Sequence, residues 1–545
     1  MESISFVIGK AVQELFDISV IVTLERPDPK YGDIATNVAM QLAKSLAKNP
    51  REIADKLAVE LQKNDMFTEV VVAGPGFINV RLTDSAVMQL IRAEPARARQ
   101  GKVVVIETNN PNPFKAMHIG HAYNAILADT MANLYALSGA TVKRVSYHGD
   151  VGLHVGKAMW AVLRDTGGDV AKLNAIHPDE RNKYMSTMYA AGSRAYDESD
   201  EAKREIDELA RQSFLLDDMA YKTIYELCKA WSFEDIDKLV ARLGNVPIIR
   251  RYVESETEAP GKKVIVDHTP DVFTLSNGAY IFEGSKHGSF DNAYIASNGN
   301  GLYGAHDMGL VQLKYADFPD MDECVVVTGN EQGAYFTGVI AACELAIPAL
   351  KNKLFNYPTG LVKLSTGKMS SRSGDVLEVG WLFDEFSEAI RQRGGVPNEG
   401  IVAGALRYQF LKVKIGSDVV FDINDAVSLT GNTGNYLQYA YARAKSILQK
   451  TNKIVIPTTF RSEDRLLARK LSEYVEVIDR ATHALEPHVI CTYLFELAQE
   501  FNRYYETNKV IGSEHEVQRV GIVAIYADTL KAGLAVLGIT APEKM

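Results

Sequence analysis

Lys102-Val-Val-Val-Ile-Glu-Thr-Asn-Asn-Pro-Asn-Pro-Phe-Lys-Ala-Met-His118-Ile-Gly-His121 is the stretch whose reading decides the fold. Its apolar run, residues 103–106, lacks the alternation of a half-exposed strand and predicts one covered on both faces, as in a parallel sheet. A polar, proline-bearing loop, 107–117, follows. A helical pattern then occupies 118–137 and stops at Ser138-Gly139, a C-cap signal. Residues 142–146 supply the next strand. Strand, loop, helix and strand open a Rossmann-like unit, whose ligands sit beyond the carboxyl ends of its strands.

His118 and His121 stand three apart at the start of that helix, so both imidazoles share one face. The unpaired N–H groups and positive dipole end of the helix point the same way and suit a phosphate. Gly120 leaves out a side chain where a flat base can pack on backbone. Two capping histidines are the plainer alternative, although the preceding strand puts the pair where this fold gathers ligands. A second segment, Lys363-Leu-Ser-Thr-Gly-Lys-Met-Ser-Ser-Arg-Ser-Gly-Asp375, is a loop of cations and hydroxyls between glycines. Such a loop suits a polyphosphate whose charge shifts during reaction. Alone it reads better as a solvated basic turn; beside His118 and His121 the phosphate reading prevails.

Working outward, the chain has 545 residues, 46% hydrophobic and 23% charged, an ordinary globular balance that excludes disorder and collagen-like character. The length predicts about three or four domains. Cys228, Cys324, Cys343 and Cys491 form no CxxC pair, which excludes a zinc ribbon and a disulfide framework and fits a reducing compartment. The first 24 residues are interrupted by Glu2, Lys10, Glu14 and Asp17, unlike a signal peptide, and no membrane span is expected. A net charge of −10 argues mildly against a nucleic-acid partner, but a local basic groove can coexist with an acidic remainder. Residues 1–95 read as a small α/β unit, with helical stretches at 3–16 and 36–61 and strands at 70–72 and 77–82. Residues 94–101 look like a linker. Residues 165–241 are charged and helical, strand-like segments resume at 263–266, 279–282 and 325–327, and from about Val379 the chain turns helical.

H-I-G-H together with K-M-S-S on a Rossmann frame resembles class I aminoacyl-tRNA synthetases. Gly32-Asp-Ile-Ala-Thr-Asn37, Asn49-Pro-Arg-Glu-Ile-Ala54, Val72-Ala-Gly-Pro-Gly-Phe-Ile-Asn79 and Gly431-Asn-Thr-Gly-Asn-Tyr-Leu-Gln-Tyr-Ala-Tyr-Ala-Arg443 narrow the resemblance to the arginyl-tRNA synthetase family. It covers nearly the whole chain and is weakest over 165–295. It implies a multidomain α/β protein: an N-terminal domain at 1–97 that holds the tRNA elbow, a Rossmann catalytic domain at 98–385 with an insertion at about 165–295, and an all-α anticodon-binding domain at 386–545. The implied reaction joins L-arginine to tRNA(Arg) through arginyl-adenylate, with magnesium on the ATP phosphates and no zinc or organic cofactor. The expected form is a cytoplasmic monomer without membrane association.

The resemblance also assigns roles. His118, Gly120, His121, Lys368, Met369, Ser370 and Ser371 are expected at ATP, with His118, His121, Lys115 and Lys368 catalytic. Glu107, Tyr303 and Asp307 are expected at the guanidinium, Asn112 and Gln332 at the α-amino end. A guanidinium needs carboxylates, because paired parallel hydrogen bonds reject the single-point ammonium of lysine. Tyr303 and Asp307, four apart, would reach one ligand from a helical turn; an exposed helix pair is the competing reading. For tRNA, Tyr436, Tyr439 and Arg443 are expected at the anticodon, Asn37 and Phe77 at the elbow, and Arg407 at the backbone. Tyr436, Tyr439 and Arg443 are also spaced like a buried helix face. Departures from the family pattern are Ser371 for a second lysine, with Lys115 expected to supply the missing charge, Tyr123 for an arginine, Val151-Gly-Leu-His154 for Trp-Gly-Thr-Gln, and Tyr335 for a histidine. Another class I synthetase and a non-catalytic tRNA-binding paralogue remain as alternatives.

Overall fold

The computed structural model describes residues 1–365, 377–451 and 454–545, apart from the side chain of Glu2. Lys368, Met369, Ser370, Ser371 and Arg372 therefore lie outside the described residues. Val104, Val105 and Ile106 have no exposed surface and sit mid-sheet, as their unbroken hydrophobicity requires. The sheet has five parallel strands, Val103–Asn109, Thr141–His148, Arg250–Val253, Glu323–Gly329 and Leu354–Thr359. Numbered along the chain, they lie in the order 5-4-1-2-3. The first strand is thus flanked by the second and the fourth, and the connections leaving strands one and four run to opposite sides. That reversal opens a crevice at their carboxyl ends.

Helix Ile119–Leu137 leaves the first strand and is buried nearly all round, from Ile119 and Ala122 to Leu134 and Tyr135. One side meets the sheet; the other meets the C-terminal helices, with which it shares one continuous core. A helix apolar on every face belongs in such a position. Its N-terminus is fastened by Ile119 N–H to the Leu377 carbonyl (2.8 Å) and by Val379 N–H to the Met117 carbonyl (2.9 Å).

The N-terminal unit has its own core around Ile4, Ile8, Ile34, Val38, Leu57 and Val80, and a four-stranded antiparallel sheet. Its expected helix over 36–61 is two helices, Val38–Leu46 and Pro50–Leu61, after a strand that ends at Thr36. The break falls where Ala47 turns left-handed and proline opens the second helix. This unit rests on the helical domain through Arg465, which reaches Asp33 at 2.6 Å and Asp84 at 2.7 Å.

Three further expectations change. The segment at 263–266 is not a strand: Val264 and Ile265 lie in helix Glu258–Asp267 and face the core, while Val266 is exposed. The stretch taken as an insertion contains Arg250–Val253, an edge strand of the central sheet; the helices before it, from Val170–Asn174 to Met219–Arg242, are the added part. The 385/386 boundary falls inside helix Val379–Gln392, and Val362–Leu364 pairs with Val419–Phe421 across it.

Arg407 is fully buried, not a contact for a nucleic-acid backbone. Its guanidinium donates to Asp129 (2.9 Å), Thr130, Asn245 and the Leu243 and Leu537 carbonyls, so it ties the helix behind the site to the insertion and the C-terminal helices.

Helices Glu258–Asp267 and Tyr303–Asp317 cross in close contact, and glycine makes this possible. A Cβ on Gly261 would overlap the Ala305 carbonyl oxygen, and one on Gly309 would overlap that of Thr257. Gly309→Ala is expected to destabilise the fold by about 1–3 kcal/mol or more. Thermal unfolding checks this.

Candidate active site

A cavity of about 730 Å³ occupies the crevice, bounded by Glu107 in the first strand and Asn112 after it, His118 and His121 on the helix tip, and Asp307 and Gln332. Glu107, Asn112, His118, Gly120, His121, Tyr303, Asp307 and Gln332 are thus brought together. Lys115 lies close enough to His118, His121 and His154 to bear on their charge.

The imidazoles of His118 and His121 stack with centroids 3.6 Å apart. Each Nδ1 accepts from the other's backbone N–H at 3.4 Å, so the capping reading holds as well. Capping through Nδ1 requires the Nε2–H tautomer and leaves Nε2–H as the remaining donor of each ring. Burial, with Lys115 nearby, pushes His118 down to about 4; burial, His118, Lys115 and His148 hold His121 well below its ordinary value. Both rings are neutral donors at pH 7. Burial also lowers the pKa of Lys115.

The acidic side is unequal. Glu107 is buried, with one oxygen on the ammonium of Lys314 and the other accepting from Asn110. Burial works against the charge on Lys314, but Glu107, Cys324 and Asp307 together outweigh it and raise the pKa of the ammonium. Among the described residues no cation bonds Asp307: burial lifts its carboxyl to about 6, Tyr335 O–H donating to Oδ2 opposes this, Glu107 adds to it, and Lys314 opposes it from beyond bonding distance. Glu254 is lifted to about 7 by burial, Asp150 and Asp307; its nearest basic partner is His306 at 3.9 Å, itself kept neutral by burial. Two carboxylates and one lysine leave Glu107, Asp307 and Lys314 one negative charge in excess, before Glu254 is counted. Desolvation on this scale is what a cationic ligand relieves.

Other positions are less confined. Tyr303 is 78% exposed on the rim. Asn112 Oδ1 accepts from Gly149 N–H at 3.0 Å, which leaves its amide hydrogens free to donate. Tyr123 is buried against Phe410, inside the helix interface. His154 Nε2 lies 2.8 Å from the Gly149 carbonyl and so braces the loop after the second strand. Lys314 and Glu254 escaped the sequence reading. Lys314 could have been found, since it lies two helical turns after Asp307 on the same face; nothing in the spacing marks Glu254.

Away from the crevice, Tyr436 is buried against Phe495 and accepts a hydrogen bond from Asn502. Tyr439 is 40% exposed, and Arg443 lies over the Tyr505 ring at 4.5 Å. The register pairing Thr36 with Ile78 sets Asn37 and Phe77 at one end of the N-terminal sheet.

Residues 84–399, more than half the chain, match the family "tRNA synthetases class I (R), catalytic domain". The chain belongs to the class I arginyl-tRNA synthetase family. Attaching arginine to tRNA(Arg) with ATP is the function of that family, which makes the chain an aminoacyl-tRNA ligase. Residues 2–82 match "Arginyl tRNA synthetase N terminal domain" and 437–545 match "DALR anticodon binding domain". Among curated relatives, an arginine–tRNA ligase of Flavobacterium psychrophilum is 26% identical over 99% of this chain and 98% of its own. One from Shewanella oneidensis is 28% identical over 95% and 94%. Among solved structures, Thermus thermophilus arginyl-tRNA synthetase shares the fold with a TM-score of 0.81 at 24% identity, each chain covered completely. The Plasmodium falciparum enzyme gives 0.78 at 20% identity, covering 100% of this chain and 99% of its own.

Proposed function

We propose that this crevice activates arginine by attack of its carboxylate on the α-phosphorus of ATP. One carboxylate O–P bond forms, the bond to the β-phosphate bridging oxygen breaks, and pyrophosphate leaves. The 3′-terminal hydroxyl of tRNA(Arg) then attacks the adenylate carbonyl and AMP departs. The observation that carries this reading is the under-compensated carboxylate Asp307 facing a helix tip that bears two neutral imidazoles.

Asp307 takes the guanidinium, with Tyr303 closing over it from the rim. Glu107, already neutralised by Lys314, shapes the pocket and offers at most a shared oxygen. The free amide hydrogens of Asn112 suit the α-carboxylate better than the α-ammonium, which Glu254 and Gln332 would accept; this revises the role expected of Asn112. The Nε2–H groups of His118 and His121 donate to phosphate and ribose oxygens, and Gly120 lets the nucleotide approach the backbone. ATP enters as its magnesium complex, the ion carried on the phosphates. Lys368, Met369, Ser370 and Ser371 are assigned to the polyphosphate by the family motif alone.

Lys115 supplies the positive charge that Ser371 does not. Its lowered pKa and its proximity to three histidines fit a lysine waiting for an anion. Lys115→Ala is expected to lower kcat for ATP–pyrophosphate exchange about 10- to 100-fold, the worth of one charge-assisted contact made in the transition state, with KM for arginine little changed. Near-normal exchange would end that assignment.

For tRNA, the exposed Tyr439 and the Arg443–Tyr505 stack would meet unstacked anticodon bases, with Tyr436 supporting them from below. Asn37 and Phe77 would meet the elbow. The domains would divide this work as 1–97, 98–385 and 386–545, with helix Val379–Gln392 joining the last two. Four free, buried cysteines fit a cytoplasmic enzyme, and we take it to act as a monomer away from membranes. Among the described residues no helix is long and apolar enough to cross a membrane. Exchange and aminoacylation assays with each standard amino acid and bulk tRNA test the whole reading: arginine alone should be charged.

A further inference from the structure

We propose that Tyr335 is a positioning residue for arginine, holding one oxygen of Asp307 so that the other faces the substrate guanidinium. The inference rests on the assignment of Asp307 to the guanidinium.

The contact joins two helices. Tyr335 lies in the first turn of Gly333–Ala346 and Asp307 in the second turn of Tyr303–Asp317; the phenol O–H donates to Oδ2. Cys343 Sγ, two turns further along, meets Met308 Sδ at 3.6 Å inside the core, so the helices are fastened in one register. Tyr335 and Asp307 both line the crevice. A carboxylate at the end of a short side chain can otherwise rotate about its last bond. One fixed donor removes that freedom and aims the remaining lone pairs.

The donor is also of the right charge. Around Asp307 stand Glu107 from the first strand, Tyr147 from the second, Glu254 from the turn after the third, Tyr294 from the small antiparallel sheet, Lys314 from its own helix, and Tyr335 and Cys343 from the helix opposite. Among these described residues only Lys314 is positive, and Glu107 holds it. Burial and Asp307 keep the Tyr335 phenol far above its ordinary pKa, so its proton stays in place across the physiological range. A neutral donor favours the ionised carboxylate while leaving its charge for the ligand. A histidine there could carry a positive charge of its own and oppose the guanidinium.

The test is Tyr335→Phe, which removes only the hydroxyl, compared with Asp307→Asn in arginine-dependent ATP–pyrophosphate exchange with tRNA present, from pH 5.5 to 9. With the donor gone, Asp307 should protonate at higher pH. KM for arginine should therefore rise about tenfold at pH 7, the worth of one hydrogen bond to a charged group, with kcat within about twofold. Its acid limb should move upward, and the gap to the parent protein should narrow as pH increases. Unchanged KM and pH profile in Tyr335→Phe, with arginine dependence lost in Asp307→Asn, would overturn the role of Tyr335 alone. A parallel fall in kcat and thermal stability with an unmoved acid limb would overturn it too, as a packing role. If Asp307→Asn leaves KM for arginine untouched, the underlying assignment fails first.

Discussion

Asp307→Asn is expected to lower kcat/KM for arginine by about 10²–10³ or more while leaving the folded protein as stable as before, or more so. The activity loss follows from deleting one member of a desolvated pair of opposite charges, which costs about 2–5 kcal/mol. The stability effect has the opposite sign. A carboxyl held at about 6 in the folded chain, against 3.8 as the ordinary value, carries on the order of 3 kcal/mol of unfavourable charge burial at neutral pH. Between the two values the folded state binds the extra proton, so this term weakens stability as pH rises through that window and is fully present above it. Asparagine removes the charge yet can still accept from Tyr335. Calorimetry should therefore give an unchanged or higher Tm at pH 7.5, with the difference fading below about pH 4. A large drop in Tm would mean that Asp307 holds the scaffold together, and the account of a site under electrostatic tension would fail.

The second large effect is expected at the helix tip. His118→Asn should reduce kcat for exchange by about 10²–10³, the usual consequence of deleting a fixed donor at developing charge in a water-poor site. Asparagine is a good N-cap, so little stability should be lost with it. Combining it with His121→Gln should give less than the product of the single effects, because the stacked rings act as one unit. Since burial holds His118 down at about 4 and His121 well below its ordinary value, neither should titrate in kcat between pH 6 and 8. An inflection near pH 6.5 that disappears in His118→Asn would contradict neutral donors.

Much of this was legible in the amino-acid order. Residues 103–106 announced a strand buried on both faces because hydrophobicity without alternation has few other uses, and the strand–loop–helix unit put His118 and His121 at the crevice. Local patterning failed where tertiary contacts decide. Val264 and Ile265 look like strand residues, yet a helix forms there because Gly261 and Gly309 let two helices touch. Arg407 looks like a surface cation because charge normally seeks water; only the combined geometry of Asp129, Asn245 and two carbonyls makes its burial tolerable. Within the site, residue types were foreseeable but their division of labour was not. That Lys314 claims Glu107 and leaves Asp307 as the open countercharge depends on which side chains meet across elements far apart in sequence.

Arginine should be told from citrulline, its uncharged near-isostere, by the charge on Asp307. The decisive measurement compares the two as substrates for exchange, with tRNA present, in the parent protein and in Asp307→Asn. The expected result is a preference for arginine of about 10³ or more in the parent, collapsing by at least about tenfold in the variant as the guanidinium loses its countercharge. Equal preference in both proteins, or citrulline activated as readily as arginine by the parent, would contradict the claim that a half-buried, under-compensated carboxylate selects the substrate.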